Sequence, residues 1–263
     1  MSDALLSFLL GLVQGLTEFL PISSSAHLLL PSLIFGSADL GLSFDIAVHA
    51  GTLFAVIYFF RSEIFLMTTS IVTYKESLHE HRKLAIQLVI ATIPIIITGL
   101  IFSDLIEQRI FSALTIALAN LFFAAMLLFA FLYKKSNKKM FELTLNGALI
   151  IGLIQCFALI PGASRSGTAI TAALLVGMNL KDASKFTFML GIPTIMAALF
   201  FLVIEAQTLG ITYNFLNLII GFVTSLFFAF FTIKIFLDFV EKIGMIPFVI
   251  YRAILGIILL LMI

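Results

Sequence analysis

Two short stretches of the chain gather side chains able to handle an anion and move a proton. In the first, QGLTEFLPISSSAH, Glu18 follows Gln14 by one helical turn, and three hydroxyls, Ser23, Ser24 and Ser25, lead to an imidazole, His27. In the second, PGASRSGT, Arg165 stands between Ser164 and Ser166, with Gly162 allowing a tight turn and Thr168 adding a hydroxyl. A carboxylate and an imidazole beside hydroxyls are the parts of a proton-transfer and nucleophile system. A guanidinium among hydroxyls and free N–H groups at the start of a helix suits an anion, and its planar fork matches phosphate oxygens. Joined, the two stretches describe a phosphate-processing site.

Their surroundings make the charges costly. An ionisable side chain at the centre of a membrane helix costs roughly 2.5–3.5 kcal/mol to insert, which makes Glu18 and Arg165 functional candidates. Of the 263 residues, 62% are hydrophobic and 11% charged, against about 25% charged in a soluble domain, so a water-soluble fold is excluded. The formal net charge of +1 comes with no single basic face, which argues against a nucleic-acid partner. Cys156 is alone, so no intrachain disulfide is expected. Asp3 stands where a secretory signal would carry Lys or Arg, so the first apolar stretch is read as part of the mature protein.

Other chemistries fail on inspection. Gly162 to Gly167 has the glycine spacing of a phosphate-binding nucleotide loop, but Thr168 replaces its lysine and no strand precedes it. Gly-Ala-Ser-Arg-Ser lacks the last glycine of a hydrolase nucleophile elbow. His79 and His81 flank Glu80 in a hydrophilic loop and read as solvated residues rather than zinc ligands.

The elements that must position these residues are helices in lipid. Apolar runs near 44–60, 84–103, 112–133, 186–204, 215–237 and 246–263 read as six transmembrane helices. Residues 4–35 and 147–178 do not fit as spans, because Pro21 with its serine run and Pro161-Gly162 divide each into pieces too short to cross. Both are read as re-entrant helical hairpins, whose irregular backbone is tolerated only inside protein or along a water-filled cavity. That reading collects twelve Lys and Arg on one side, among them Arg61, Lys134 to Lys139, Lys181 and Lys185, and leaves Arg109 alone on the other. The basic side is the cytoplasmic one. Both termini then face outward, the first hairpin enters from outside and the second from the cytoplasm.

A short echo supports this arrangement. Gly11-Leu-Val-Gln14, Pro21 and Ser23-Ser24-Ser25 recur as Gly152-Leu-Ile-Gln155, Pro161 and Ser164-Arg165-Ser166. The fold class is therefore all-α, a single polytopic membrane domain over 1–263 built as an inverted-topology repeat, with halves 1–140 and 141–263. Such repeats place their site near the midplane where broken helices meet. Within the spans, Asp45 and His49 are expected as interfacial anchors or at a cavity mouth, and Arg252 is expected to snorkel or pair internally with no role in chemistry.

The two signatures resemble those of the undecaprenyl-diphosphate phosphatase family of bacterial membranes, the type associated with bacitracin resistance. Its first pattern, E/Q-x-x-x-E with a serine-rich break and His, is matched at Gln14, Glu18, Ser23, Ser24 and His27. Its second, P-G-x-S-R-S-x-x-T, is matched at Pro161, Gly162, Ser164, Arg165 and Ser166, with its threonine one position early at Thr168 or later at Thr171. The resemblance implies hydrolysis of undecaprenyl diphosphate to undecaprenyl phosphate and inorganic phosphate. It places this at the outer face of the bacterial cytoplasmic (inner) membrane, aided by Mg²⁺ or Ca²⁺ near Glu18. Catalytic roles then fall to Glu18, Ser24, His27 and Arg165, and substrate contacts to Gln14, Ser23, Ser25, Gly162, Ser164, Ser166 and Thr168. Ser24 as nucleophile and a water directed by Glu18 are both open, as is a homodimer. A secondary transporter or flippase for an anionic lipid is the rival reading, since broken helices around a charged midplane describe it equally.

Overall fold

The computed structural model describes residues 3–28, 40–103, 112–133, 136–208 and 214–262. Among them the regular structure is helical, apart from an isolated bridge between Lys138 and Met178. The α-helices are α1 (Asp3–Thr17), α2 (Leu42–Phe59), α3 (Arg61–Thr73), α4 (His79–Ile101), α5 (Ala113–Tyr133) and α6 (Leu145–Gln155). They continue with α7 (Arg165–Leu175), α8 (Leu180–Thr208), α9 (Phe215–Ile243) and α10 (Ile246–Leu261).

Among the described residues five stretches are long and apolar enough to cross a membrane: Leu42–Phe59, Glu76–Ile101, Ala113–Tyr133, Leu180–Ile204 and Phe215–Ile243. They coincide with five of the six expected spans. The sixth, α10, has 16 residues, which is about 24 Å at 1.5 Å per residue and less than the roughly 30 Å of hydrocarbon. Pro247 in its first turn sets where it begins, since the missing N–H is one that a helix start leaves unpaired anyway. The helical chain runs further than the apolar pattern: after Phe60 it resumes as α3, although Arg61 closes the apolar run.

Residues 147–178 divide as expected. Neither α6 nor α7, at 11 residues each, can cross, being about 16 Å long. The chain that leads into α6 and the chain that leaves α7 lie side by side, because Lys138 N donates to Gly177 O at 3.0 Å and Asn179 N to Lys138 O at 2.9 Å. α6 and α7 are thus a helical hairpin that returns to where it started. In the first broken stretch, α1 and the helical residues 24–28 flank Pro21, and the rest of the expected second arm lies outside the described residues. Arg109, Lys134 and Lys135 also lie outside them.

The first arm of each broken stretch packs on a long helix from the other half of the chain: α1 on α9, and α6 on α4. The echoed glycines make both contacts. A Cβ on Gly11 would sit 2.9 Å from Gly221 O, and one on Gly152 would overlap the Ala91 carbonyl. With lipid as apolar as leucine, helices associate through such close van der Waals approach rather than through hydrophobic exclusion. α7 packs against α5, which in turn pairs with α10. Under the breaks lies an aromatic and aliphatic core of fully buried Phe19, Phe186, Phe188, Ile170 and Leu174, with the Phe19 and Phe188 rings edge to face at 5.3 Å. That core fixes Phe19, and hence its neighbour Glu18.

Candidate active site at the meeting of the two breaks

α1 ends at Thr17 because Pro21 cannot continue the helical hydrogen bonding. Glu18 N still donates to Gln14 O at 3.0 Å, so the two side chains share a face one turn apart. Gln14 Nε2 donates to Glu18 Oε2 at 2.9 Å, and both residues are buried.

Each break then turns on a serine in the left-handed backbone region, Ser23 at φ 72° and Ser164 at φ 71°. Holding an L-residue there costs roughly 1–2 kcal/mol, a strain the surrounding bonds must hold. The side chains repeat as well: Ser23 Oγ lies 3.3 Å from Ser25 Oγ, and Ser164 Oγ 3.2 Å from Ser166 Oγ. Ser164 caps α7 by accepting from Gly167 N at 3.1 Å. Ser166 Oγ ties break to break by donating to Leu20 O at 2.7 Å.

The charged groups meet between the breaks. Arg165 Nη2 donates to Glu18 Oε1 at 3.0 Å, while Ser24 Oγ donates to Glu18 Oε2 at 2.8 Å. The guanidinium stands over the Phe19 ring, and its Nε is buried without a hydrogen-bond partner. Room for it comes from Gly191 on α8, where a Cβ would lie 2.7 Å from Arg165 Nη1. His49 approaches from α2: its Nδ1 is 2.8 Å from Asp45 O, and its Nε2 is 3.9 Å from Glu18 Oε2. Because Nδ1 is spent as a donor to that carbonyl, a neutral ring presents its lone pair toward the carboxylate.

These groups head a cavity of about 330 Å³. Glu18, Ser23, Ser24, Ser25, His49, Ser164 and Arg165 form its polar end, and Ile95, Leu100, Ala198 and Leu202, from α4 and α8, line an apolar flank. A polar head with apolar walls fits an amphiphile that carries an anionic group.

Gln14, Glu18, Ser24 and Arg165 are brought together, and Ser23, Ser25 and Ser164 share the cavity wall. Other expected residues are engaged elsewhere. Thr168 Oγ1 donates to Arg165 O, Gly162 O accepts from Arg252, and Ser166 is spent on Leu20 O. His27 turns away from Glu18: its Nδ1 is 2.7 Å from Ser23 O, and its Nε2 is 2.5 Å from the Tyr251 hydroxyl, with the two rings stacked. Two residues outside the expected site stand close to the chemistry: His49, expected as an interfacial anchor or at a cavity mouth, lines the cavity wall, and Arg252, expected to snorkel or pair internally, lies behind the breaks. Each was marked by an ionisable group inside an apolar stretch.

Whether the site suits a divalent cation follows from its donors. Among the described residues no three His, Cys, Asp or Glu side chains cluster as a metal cage. Glu18 is a single carboxylate, and the buried Gln14 Oε1 beside it lacks a partner. Mg²⁺ is commonly held by one or two carboxylates with substrate phosphates and water supplying the rest, and that limited donor set fits here.

Fold and site define a helical membrane protein that holds a serine, a carboxylate and a guanidinium at the head of an apolar-walled cavity. The chain belongs to the family described as bacitracin resistance protein BacA, whose model matches residues 7–258. It is 42% identical to an undecaprenyl-diphosphatase of Alcanivorax borkumensis over 97% of both chains. It is 43% identical to one of Saccharophagus degradans, over 97% of this chain and 96% of the other. It is also 42% identical to undecaprenyl-diphosphatase 1 of Pseudoalteromonas translucida over 94% of each.

Proposed function

We propose that the protein is a polyprenyl-diphosphate phosphohydrolase that converts undecaprenyl diphosphate to undecaprenyl phosphate and inorganic phosphate, recycling the lipid carrier of cell-wall polymers. The observation that carries this reading is Glu18 bonded at once to Ser24 and Arg165 at the polar end of an apolar-flanked cavity. The diphosphate enters at the serines while the prenyl chain leaves between α4 and α8 into lipid.

In the first step Ser24 Oγ attacks the terminal phosphorus, its proton passing to Glu18 Oε2, and the bond to the bridging oxygen breaks to release undecaprenyl phosphate. Water then cleaves the phosphoserine, forming inorganic phosphate and returning the proton to Ser24. His49 Nε2, facing the same carboxylate oxygen, takes up or supplies the proton that Glu18 exchanges. Arg165, whose guanidinium lines the cavity, holds phosphoryl oxygens as charge develops on them. Ser23, Ser25 and Ser164 supply further hydroxyls to the phosphate, and His27 holds the first break through Ser23 O. Glu18 and Gln14 Oε1 would hold a divalent cation arriving with the diphosphate, and such an ion neutralises phosphate charge.

Six crossings and two re-entrant hairpins in inverted repeat describe the arrangement in the membrane, with α10 as the short sixth crossing. The cavity flank lies at Leu100 and Leu202, near the last turns of α4 and α8, whereas Lys138 and Lys181 lie near the start of α8. With those lysines cytoplasmic, the cavity opens to the outer face of the inner membrane.

Phosphate release from a long-chain prenyl diphosphate by purified protein in detergent tests the reading. Release that depends on added divalent metal supports it. Absence of release with every metal, together with uptake of an anionic prenyl phosphate into proteoliposomes, would replace it with a carrier.

A further inference from the structure

Arg252 is the largest fully enclosed side chain among the described residues, and it belongs to neither signature. It reaches from α10 to both breaks. Its Nη1 donates to Pro21 O at 3.4 Å, and its Nη2 to Gly162 O at 2.8 Å and to Ala163 O at 3.2 Å. Its Nε donates to Asn120 Oδ1 at 2.8 Å, and Asn120 Nδ2 donates back to the Arg252 carbonyl at 2.8 Å, so a side chain of α5 aims the guanidinium. The Nη1 end rests on Gly167, where a Cβ would come within 2.9 Å of it.

The carbonyls it holds are those that the breaks leave without helical donors, and buried carbonyls of this kind must find partners. A lysine has one flexible ammonium, whereas the planar fork reaches carbonyls on two separate chain segments in fixed geometry. Pro21 stands three residues before Ser24, and Ala163 two before Arg165. Fixing those carbonyls on one rigid group fixes how far apart the nucleophile and the phosphate-holding group stand.

We propose that Arg252 is a positioning residue for phosphoryl transfer, one guanidinium that locks the two breaks in register so that Ser24 and Arg165 face each other across Glu18. This rests on the assignment of Glu18, Ser24 and Arg165 to the reaction. That assignment fails by itself if Glu18→Gln and Arg165→Ala keep wild-type turnover.

The test compares the full-length wild type, Arg252→Lys, Arg252→Met, Asn120→Ala and the Asn120→Ala/Arg252→Lys pair in detergent. Thermal unfolding is followed together with kcat and KM on a long-chain prenyl diphosphate, below every transition. Because misplacement of about 1 Å costs on the order of 100-fold, Arg252→Lys is expected to lower kcat by about 30- to 100-fold while KM moves by less than about threefold. Asn120→Ala is expected to lower kcat in the same way by a smaller factor, and the pair to lose no more than Arg252→Lys alone, since both act through one guanidinium. If Arg252→Met does not fold, the Lys and Asn120 variants still decide. Folded Arg252→Lys with kcat within about threefold of wild type, or losses in the pair that multiply, would overturn the proposal.

Discussion

Glu18 and Arg165 stand 147 positions apart in sequence and meet at 3.0 Å, each almost wholly enclosed. Removing one partner of a buried pair leaves the other charge uncompensated, at a cost of about 3–5 kcal/mol, whereas replacing both with neutral side chains of like volume is often neutral or stabilising. Arg165→Met should therefore lower the unfolding temperature in detergent well below that of Glu18→Gln/Arg165→Met. Equal unfolding temperatures would mean that the pair contributes little to joining the breaks.

Ser24→Ala removes the hydroxyl that donates to Glu18 Oε2 at 2.8 Å without creating a buried charge. With Ser24 as nucleophile, turnover should fall by at least about 100-fold and wild-type enzyme quenched in acid should yield a phosphorylated Ser24 peptide. Ser24→Ala at full rate would assign the attack to a water directed by Glu18.

His49→Asn keeps a donor at the Nδ1 position for the Asp45 carbonyl but cannot exchange a proton with Glu18. If His49 exchanges the proton of Glu18, the variant should lose about 100-fold in kcat while KM moves by less than about threefold. Wild-type kcat in this variant would remove His49 from the proton path.

Gly191→Ala introduces a methyl 2.7 Å from Arg165 Nη1. The guanidinium must shift, and turnover should drop by about 10- to 100-fold while the unfolding temperature changes little. Wild-type turnover in this variant would show that the guanidinium tolerates displacement.

The chemistry was legible where charge and proline interrupt apolar runs. Glu18, Arg165 and the serine runs stand out in the sequence because lipid penalises them, and the echo of Gly11 and Gln14 at Gly152 and Gln155 marks the two arms that bury glycine against a partner helix. What lay beyond reach depends on partners distant in sequence. His27 faces away from Glu18 because the hydroxyl of Tyr251, 224 positions later, donates to its ring, and Arg252 finds Pro21 across 231 positions. No local pattern encodes such meetings. α10 starts where its apolar run does, at Ile246, with Pro247 at a position whose N–H a helix start leaves unpaired, and it closes at Leu261, two residues short of that run. The helix after Phe60 does not show in the sequence, because Arg61 closes the apolar run and the apolar Ile64 to Met67 of α3 give way at once to Thr68, Thr69 and Ser70.

The most direct measurement is steady-state phosphate release from a long-chain prenyl diphosphate by wild type, Glu18→Gln, Arg165→Ala and the double variant, each shown to be folded. If the two breaks form one site, both single variants lose at least about 1,000-fold and the double variant loses no more than the worse of them, because groups that act as a unit are not additive. Either single variant turning over within about tenfold of wild type would contradict the claim that the carboxylate of one break and the guanidinium of the other perform the reaction together.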